Sequence, residues 1–155
     1  MIAMLQRVGQ AQVDIAGQTV ARIGKGLLVF IGVERTDGMA QAERLVQRLL
    51  NYRIFADHVG KMNLSLRDIQ GDLLLVPQFT LAADTRKGLR PSFTAAADPA
   101  HGEHLCNYIL QQAQGLHDKV ESSLFGVDMQ VSLINDGPVT FLLRTNQAKE
   151  EGDDR

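Results

Sequence analysis

Three stretches of the chain concentrate residues able to do chemistry. The first is Pro77-Gln78-Phe79-Thr80-Leu81, at the end of an apolar run. Backbone N–H groups leave the ladder at a strand end, and two consecutive free donors, from Phe79 and Thr80, would stabilise an oxyanion. Thr80 adds a hydroxyl. The plain alternative is a strand terminus packing Phe79 and Leu81, and residue types alone leave both readings open. The second stretch is Ile134-Asn135-Asp136-Gly137-Pro138-Val139-Thr140. Its Asn, Asp, Gly and Pro are turn residues, so a hairpin turn is the reading the pattern favours. A Gly-Pro bond also admits the cis form, which would turn two carbonyls to one side, ready to accept from an ammonium. The third, residues 85–93, sets Arg86, Lys87 and Arg90 around Gly88. It suits phosphate contact, and it reads equally as a solvated charge cluster.

Other chemistries find little support. His101 and His104 lie three apart, His58 and His117 are in unrelated contexts, and zinc needs three or four ligands. No metal or cofactor is expected, and the histidines are expected to be solvated surface residues. There is no Gly-x-Ser-x-Gly elbow and no phosphate loop; "GKGLLVF" lacks the spacing and runs into a strand. Cys106, the only cysteine, is expected to be a small core residue.

The elements that must position these residues read as one α+β domain over 1–145. Strands are expected at 1–8 and 11–15 with a bend at Gly9, then at 18–23 and 26–33, the last buried on both faces. Thr36-Asp37-Gly38 offers capping for a helix through Ala42, Leu45, Val46, Leu49 and Leu50 that ends near Tyr52. A short strand at 53–56, a loop at 57–71 and a buried strand at 72–81, interrupted by Pro77, come next. After an irregular segment, Asp98-Pro99 caps a second helix. Strands at 120–125, 129–134 and 139–144 complete about seven strands and two helices. The chain has 155 residues, 45% of them hydrophobic, with a formal charge of −2. That charge offers no global field for nucleic acid, so RNA contact needs a local basic patch. The single cysteine suits a reducing cytoplasm. The N-terminus alternates, unlike a signal peptide or membrane span. Residues 146–155, polar and charged, read as a frayed tail.

In combination, Gln6-Arg7-Val8, "GLLVFIGV", "YRIF", "GKMNLSL", "QFTLAADTRKGLRPSF" and "DMQVSLINDGPVTF" resemble the D-aminoacyl-tRNA deacylases over about residues 1–144. The resemblance implies a barrel-like α+β domain acting as a homodimer, with the active site at the interface. It implies no cofactor, and as substrate the 3′ acceptor end of aminoacyl-tRNA, whose D-aminoacyl or misplaced glycyl ester is cleaved. Gly137-Pro138 is then a cis peptide inserted into the partner's pocket as a chirality filter. Phe79 and Thr80 supply oxyanion N–H donors, Gln78 shapes the adenosine end and Arg7 holds the Gly-Pro loop. Phe125 and Met129 line the pocket or interface, or pack in the core. Arg86, Lys87 and Arg90 meet RNA. The family usually has Ser where this chain has Pro77. Two rivals stand beside this reading, a non-catalytic RNA-binding dimer and a general amino-acid esterase.

Overall fold

The computed structural model describes residues 1–145; the tail expected at 146–155 lies outside them. Strand β1 (Ile2–Ile15) runs through the expected bend, and its pairing with the last strand shifts register on either side of Val8, the second shift spanning Gly9. Strand β2 (Gln18–Ile23) pairs antiparallel with its second half and β3 (Gly26–Gly32) with its first. Helix α1 (Met39–Asn51) buries Ala42, Leu45, Val46, Leu49 and Leu50, the stripe its spacing sets. Its cap residue is Gly38, whose N–H donates to Gln41 Oε1 at 2.8 Å. Asp37 instead turns inward, accepting from the Met1 ammonium at 2.8 Å and the Glu34 N–H at 2.7 Å.

The segment expected as loop at 57–71 holds two elements. Strand β4 (Phe55–Ala56) pairs with β5 (Met62–Leu64) in a separate small sheet, and α2 (Leu66–Ile69) forms one helical turn. Ser65 and Asp68 box the start of that turn, each side chain bonding the other's N–H. Strand β6 (Asp72–Pro77) lies parallel to β3 and stops at Pro77, short of the expected Leu81. A 3₁₀ turn, Phe79–Ala82, takes over. Helix α3 (Pro99–Leu116) starts as expected, with Asp98 Oδ1 accepting the His101 N–H at 2.9 Å. Strand β7 (Val120–Ser122) is shorter than expected and parallel to β6. The last strand, β8 (Gln130–Arg144), is one element where two strands and a hairpin turn are expected.

The main sheet has the order β2-β1-β3-β6-β7, with β8 along the other edge of β1. It curls until β2 approaches β6 and β7, giving a nearly closed barrel. Alternation sends Leu27, Val29, Ile31, Leu73 and Leu75 to the face covered by α1 and α3. Leu28, Leu74 and Val76 point into a second core with Val8, Val13 and Ile23. This double burial is why β3 and β6 read as continuous apolar runs.

Pro77 costs this sheet little. On the edge of β6 facing β7, Leu73 N–H donates to Lys119 O. With a two-residue period, position 77 is where β7 has already ended, so a missing donor breaks no ladder bond. The carbonyl of Ser123 takes the Ser122 hydroxyl instead, at 3.0 Å.

Candidate active site

The 3₁₀ turn begins where β6 releases its last ladder bond. Gln78 N–H still donates to Ile31 O, at 2.7 Å. The next two N–H groups, of Phe79 and Thr80, open the turn and have no acceptor among the described residues. Gln78 Nε2 donates to Thr80 Oγ1, fixing the hydroxyl beside them. Gly32 lets this turn lie directly on β3: an added Cβ there would sit 2.8 Å from Leu81 Cβ and 3.3 Å from Gln78 O.

Beside the turn is a cleft of about 460 Å³. Pro77, Gln78, Phe79, Phe93, Cys106 and Phe125 are among its walls. Phe79 is 60% exposed, and its ring lies 5.3 Å from that of Phe93. Phe125 serves both readings offered for it, since it lines the cleft and also packs on the main core. The ring presses on Gly102, where a Cβ would come within 3.3 Å. Met129 lies away from the cleft, against the second core. Cys106 is buried, and burial first, then Glu103, pushes its thiol up to about 12. Such a thiol stays protonated and packs as an apolar residue.

Gly137-Pro138 is not a hairpin. Val8 faces Asn135 and Gln6 faces Thr140, so the residues between them bulge out of β8 opposite Arg7 alone. The chain then continues in its original direction. Both residues are exposed, and the bond between them is cis. Arg7 Nε donates to Asp136 O at 2.8 Å, and Arg7 Nη1 to Ile54 O at 2.9 Å. The bulge is thereby tied to the base of the β4–β5 arm. Neither Gly137 nor Pro138 lines this cleft.

The three cations on the loop are not equivalent. Arg86 grips Asp84 through two parallel bonds of 2.9 and 2.8 Å, and holds that carboxyl down to about 2. Lys87 and Arg90 are exposed without a partner among the described residues. Asp84 and Ser92 exchange backbone bonds that close the loop. Two histidines expected in solvent are structural: His101 Nε2 meets Asp37 O at 2.7 Å, and His117 Nε2 meets Gly71 O at 2.6 Å. No group of three or more possible metal ligands is found among the described residues. Sequence reasoning passed over Phe93, Asp84 and Asn135. Phe93 sits in the same quoted motif as Phe79; the Asp84–Arg86 spacing of an Asx-type turn was also readable.

The sequence and the fold of this chain both have counterparts among known proteins. The profile of the family described as D-Tyr-tRNA(Tyr) deacylase matches residues 4–144. The D-aminoacyl-tRNA deacylase of Nitrosococcus oceani is 60% identical over 144 residues, 93% of each chain. That of Stutzerimonas stutzeri is 59% identical over 145 residues, covering 94% of this chain and all of the relative. A solved structure of the c-Myc DNA Unwinding Element Binding Protein matches with a TM-score of 0.89 at 36% identity, over 93% of this chain and 98% of that one. A probable eukaryotic D-amino acid tRNA deacylase shares the fold, with a TM-score of 0.80 at 20% identity over 92% and 97%. The chain belongs to the D-Tyr-tRNA(Tyr) deacylase family.

Proposed function

We propose that this chain hydrolyses the ester between a D-amino acid, or misplaced glycine, and the terminal ribose of tRNA. It does so in the cytoplasm as a homodimer that rejects L-aminoacyl esters. The observation that carries the reading is the unpaired Phe79 and Thr80 N–H pair at the edge of an apolar cleft, in a chain about 60% identical to relatives named D-aminoacyl-tRNA deacylases. Those two donors meet the carbonyl oxygen as it becomes an oxyanion. Water adds to the carbonyl carbon, the bond to the ribose oxygen breaks, and the ribose hydroxyl beside the ester relays water's proton to the leaving oxygen. The protein contributes geometry and electrostatics. Gln78 shapes the adenosine end and Phe125 the cleft wall, while Met129 packs against the second core. Lys87 and Arg90 meet phosphate, and Arg86 does so while paired to Asp84.

Selection works by exclusion. The exposed Gly137 and Pro138 backbone, held by Arg7, enters the partner's cleft and receives the substrate's α-ammonium on its carbonyls. With ammonium and ester both fixed, a D side chain points to open space and an L side chain meets the wedge. Glycine has nothing to exclude. Backbone serves every amino acid, where a side-chain pocket would favour a few. The dimer reading is supported by an apolar row on the second-core face of the sheet, Phe30, Met4 and Leu142, adjacent by register, with Leu142 50% exposed.

The test offers the protein D-Tyr-tRNA, L-Tyr-tRNA and D-tyrosine ethyl ester. Loss of the D-charged tRNA alone supports the proposal. Binding without hydrolysis marks an RNA-binding dimer, and equal cleavage of the free ester marks a general esterase.

A further inference from the structure

We infer that Asn135 is a positioning residue for stereochemical selection: its carboxamide closes the bulge from within and sets the aim of the Gly137-Pro138 backbone. The bulge is fastened twice. At its start Arg7 Nε donates to Asp136 O, at 2.8 Å. At its end Asn135 works from inside. Its Oδ1 accepts the Val139 N–H at 2.7 Å, while Nδ2 donates to Val139 O at 3.3 Å and to Thr140 Oγ1 at 3.1 Å. One side chain thus spans both backbone groups of the residue that returns the chain to the ladder. Gly137 and Pro138 lie between the two fastenings, and neither clamp touches their carbonyls. Those acceptors stay open to a ligand while the peptide units on either side are fixed.

The chemistry at position 135 is specific to an amide. The site needs an acceptor for one N–H and a donor for one carbonyl, at 2.7 and 3.3 Å from the same side chain. A carboxylate keeps the acceptor but sets negative charge against Val139 O. A hydroxyl has a single oxygen and one proton for the three bonds that the carboxamide shares between two atoms. Val139 is buried and packs under Gly137, where an added Cβ would come within 2.6 Å of Val139 Cγ2. Releasing Val139 therefore moves Gly137 directly.

This inference rests on the proposed selection by the Gly-Pro backbone, and the experiment separates the two. The ratio of kcat/KM for D-Tyr-tRNA over L-Tyr-tRNA is measured for wild type, Asn135→Ala, Asn135→Asp and Arg7→Ala, with Tm and light scattering alongside. Loss of two to three hydrogen bonds at a wedge predicts a fall in the ratio of about tenfold or more in both Asn135 variants, carried partly by faster L-ester cleavage. A merely structural role would lower both rates together and leave the ratio intact. Asn135→Asp is nearly isosteric and keeps the test alive if the alanine variant fails to fold. If Arg7→Ala loses the ratio while both Asn135 variants keep it, the role of Asn135 is overturned. If all three variants keep it, selection by the Gly-Pro backbone fails, and this inference with it.

Discussion

The reactive groups of the proposed site are largely main chain. Thr80 offers a hydroxyl, but its visible partner is the Gln78 amide, a donor and not a base. A hydroxyl nucleophile needs a base within reach. Thr80→Ala and Thr80→Val leave both N–H donors in place, so each should keep D-Tyr-tRNA cleavage within about tenfold of wild type. A substrate ending in 2′-deoxyadenosine should lose on the order of a hundredfold or more, because its ribose cannot relay the proton. A dead alanine variant with normal deoxy-substrate cleavage would reverse that assignment. At the cationic loop, Asp84 has a depressed carboxyl, so its clamp on Arg86 is complete above the ordinary carboxylate range and dissolves as pH falls through about 2. Nothing in this pair titrates between neutral and mildly acid pH. Asp84→Asn should instead remove the charge that offsets Arg86 and steepen the salt dependence of tRNA binding by up to about 0.7–0.9 in log–log slope, one further phosphate charge neutralised. Filter-binding across a salt series reads this directly.

At the level of elements, the site depends on a turn seated against a strand with no side chain in between. Gly32→Ala puts a methyl 2.8 Å from Leu81 Cβ, so the 3₁₀ turn has to lift from β3. The expected result is a kcat at least tenfold lower from misdirected N–H donors, with destabilisation of about 1–3 kcal/mol typical of overpacking. Stopped-flow deacylation and thermal melts separate the two effects. The sequence carried the ends of such elements unevenly. Apolar runs placed β3 and β6, and spacing placed α1 and α3, because burial itself writes those patterns. The short turn α2 was announced only by Ser65 and Asp68, too brief for a periodic signal. The bulge in β8 was misread for a different reason: Asn, Asp, Gly and Pro serve a hairpin and a bulge alike. What decides between them is the partner, and β1 is more than a hundred residues away in sequence. Both halves of β8 continue along one strand, a fact no local window contains. Arg7 and the Gly-Pro pair were legible as a unit through family resemblance alone; their hydrogen bonds were not.

For the whole molecule as proposed, a homodimer with a Gly137-Pro138 wedge, the decisive question is which protomer's wedge serves which cleft. Gly137 and Pro138 do not reach the cleft of their own chain, and an isologous dimer lets each chain supply the other. Two damaged variants then complement. Arg7→Ala spoils the wedge and leaves the turn sound; Gly32→Ala spoils the turn and leaves the wedge sound. In a mixed dimer, one site combines two damaged parts and the other combines two sound ones. Random re-pairing of equal amounts makes about half the dimers mixed, each with one of two sites restored, so activity should return to about a quarter of wild type. A wedge acting within its own chain gives no recovery at any mixing ratio, because every site keeps one damaged part. Exchange requires dissociation, and Leu142→Glu tests the face proposed for it. A carboxylate on the Phe30, Met4 and Leu142 row should shift light scattering toward the monomer and remove D-Tyr-tRNA cleavage while the melting transition persists. A Leu142→Glu protein that stays dimeric and active would place the interface on another face, and the complementation result would then stand or fall without it.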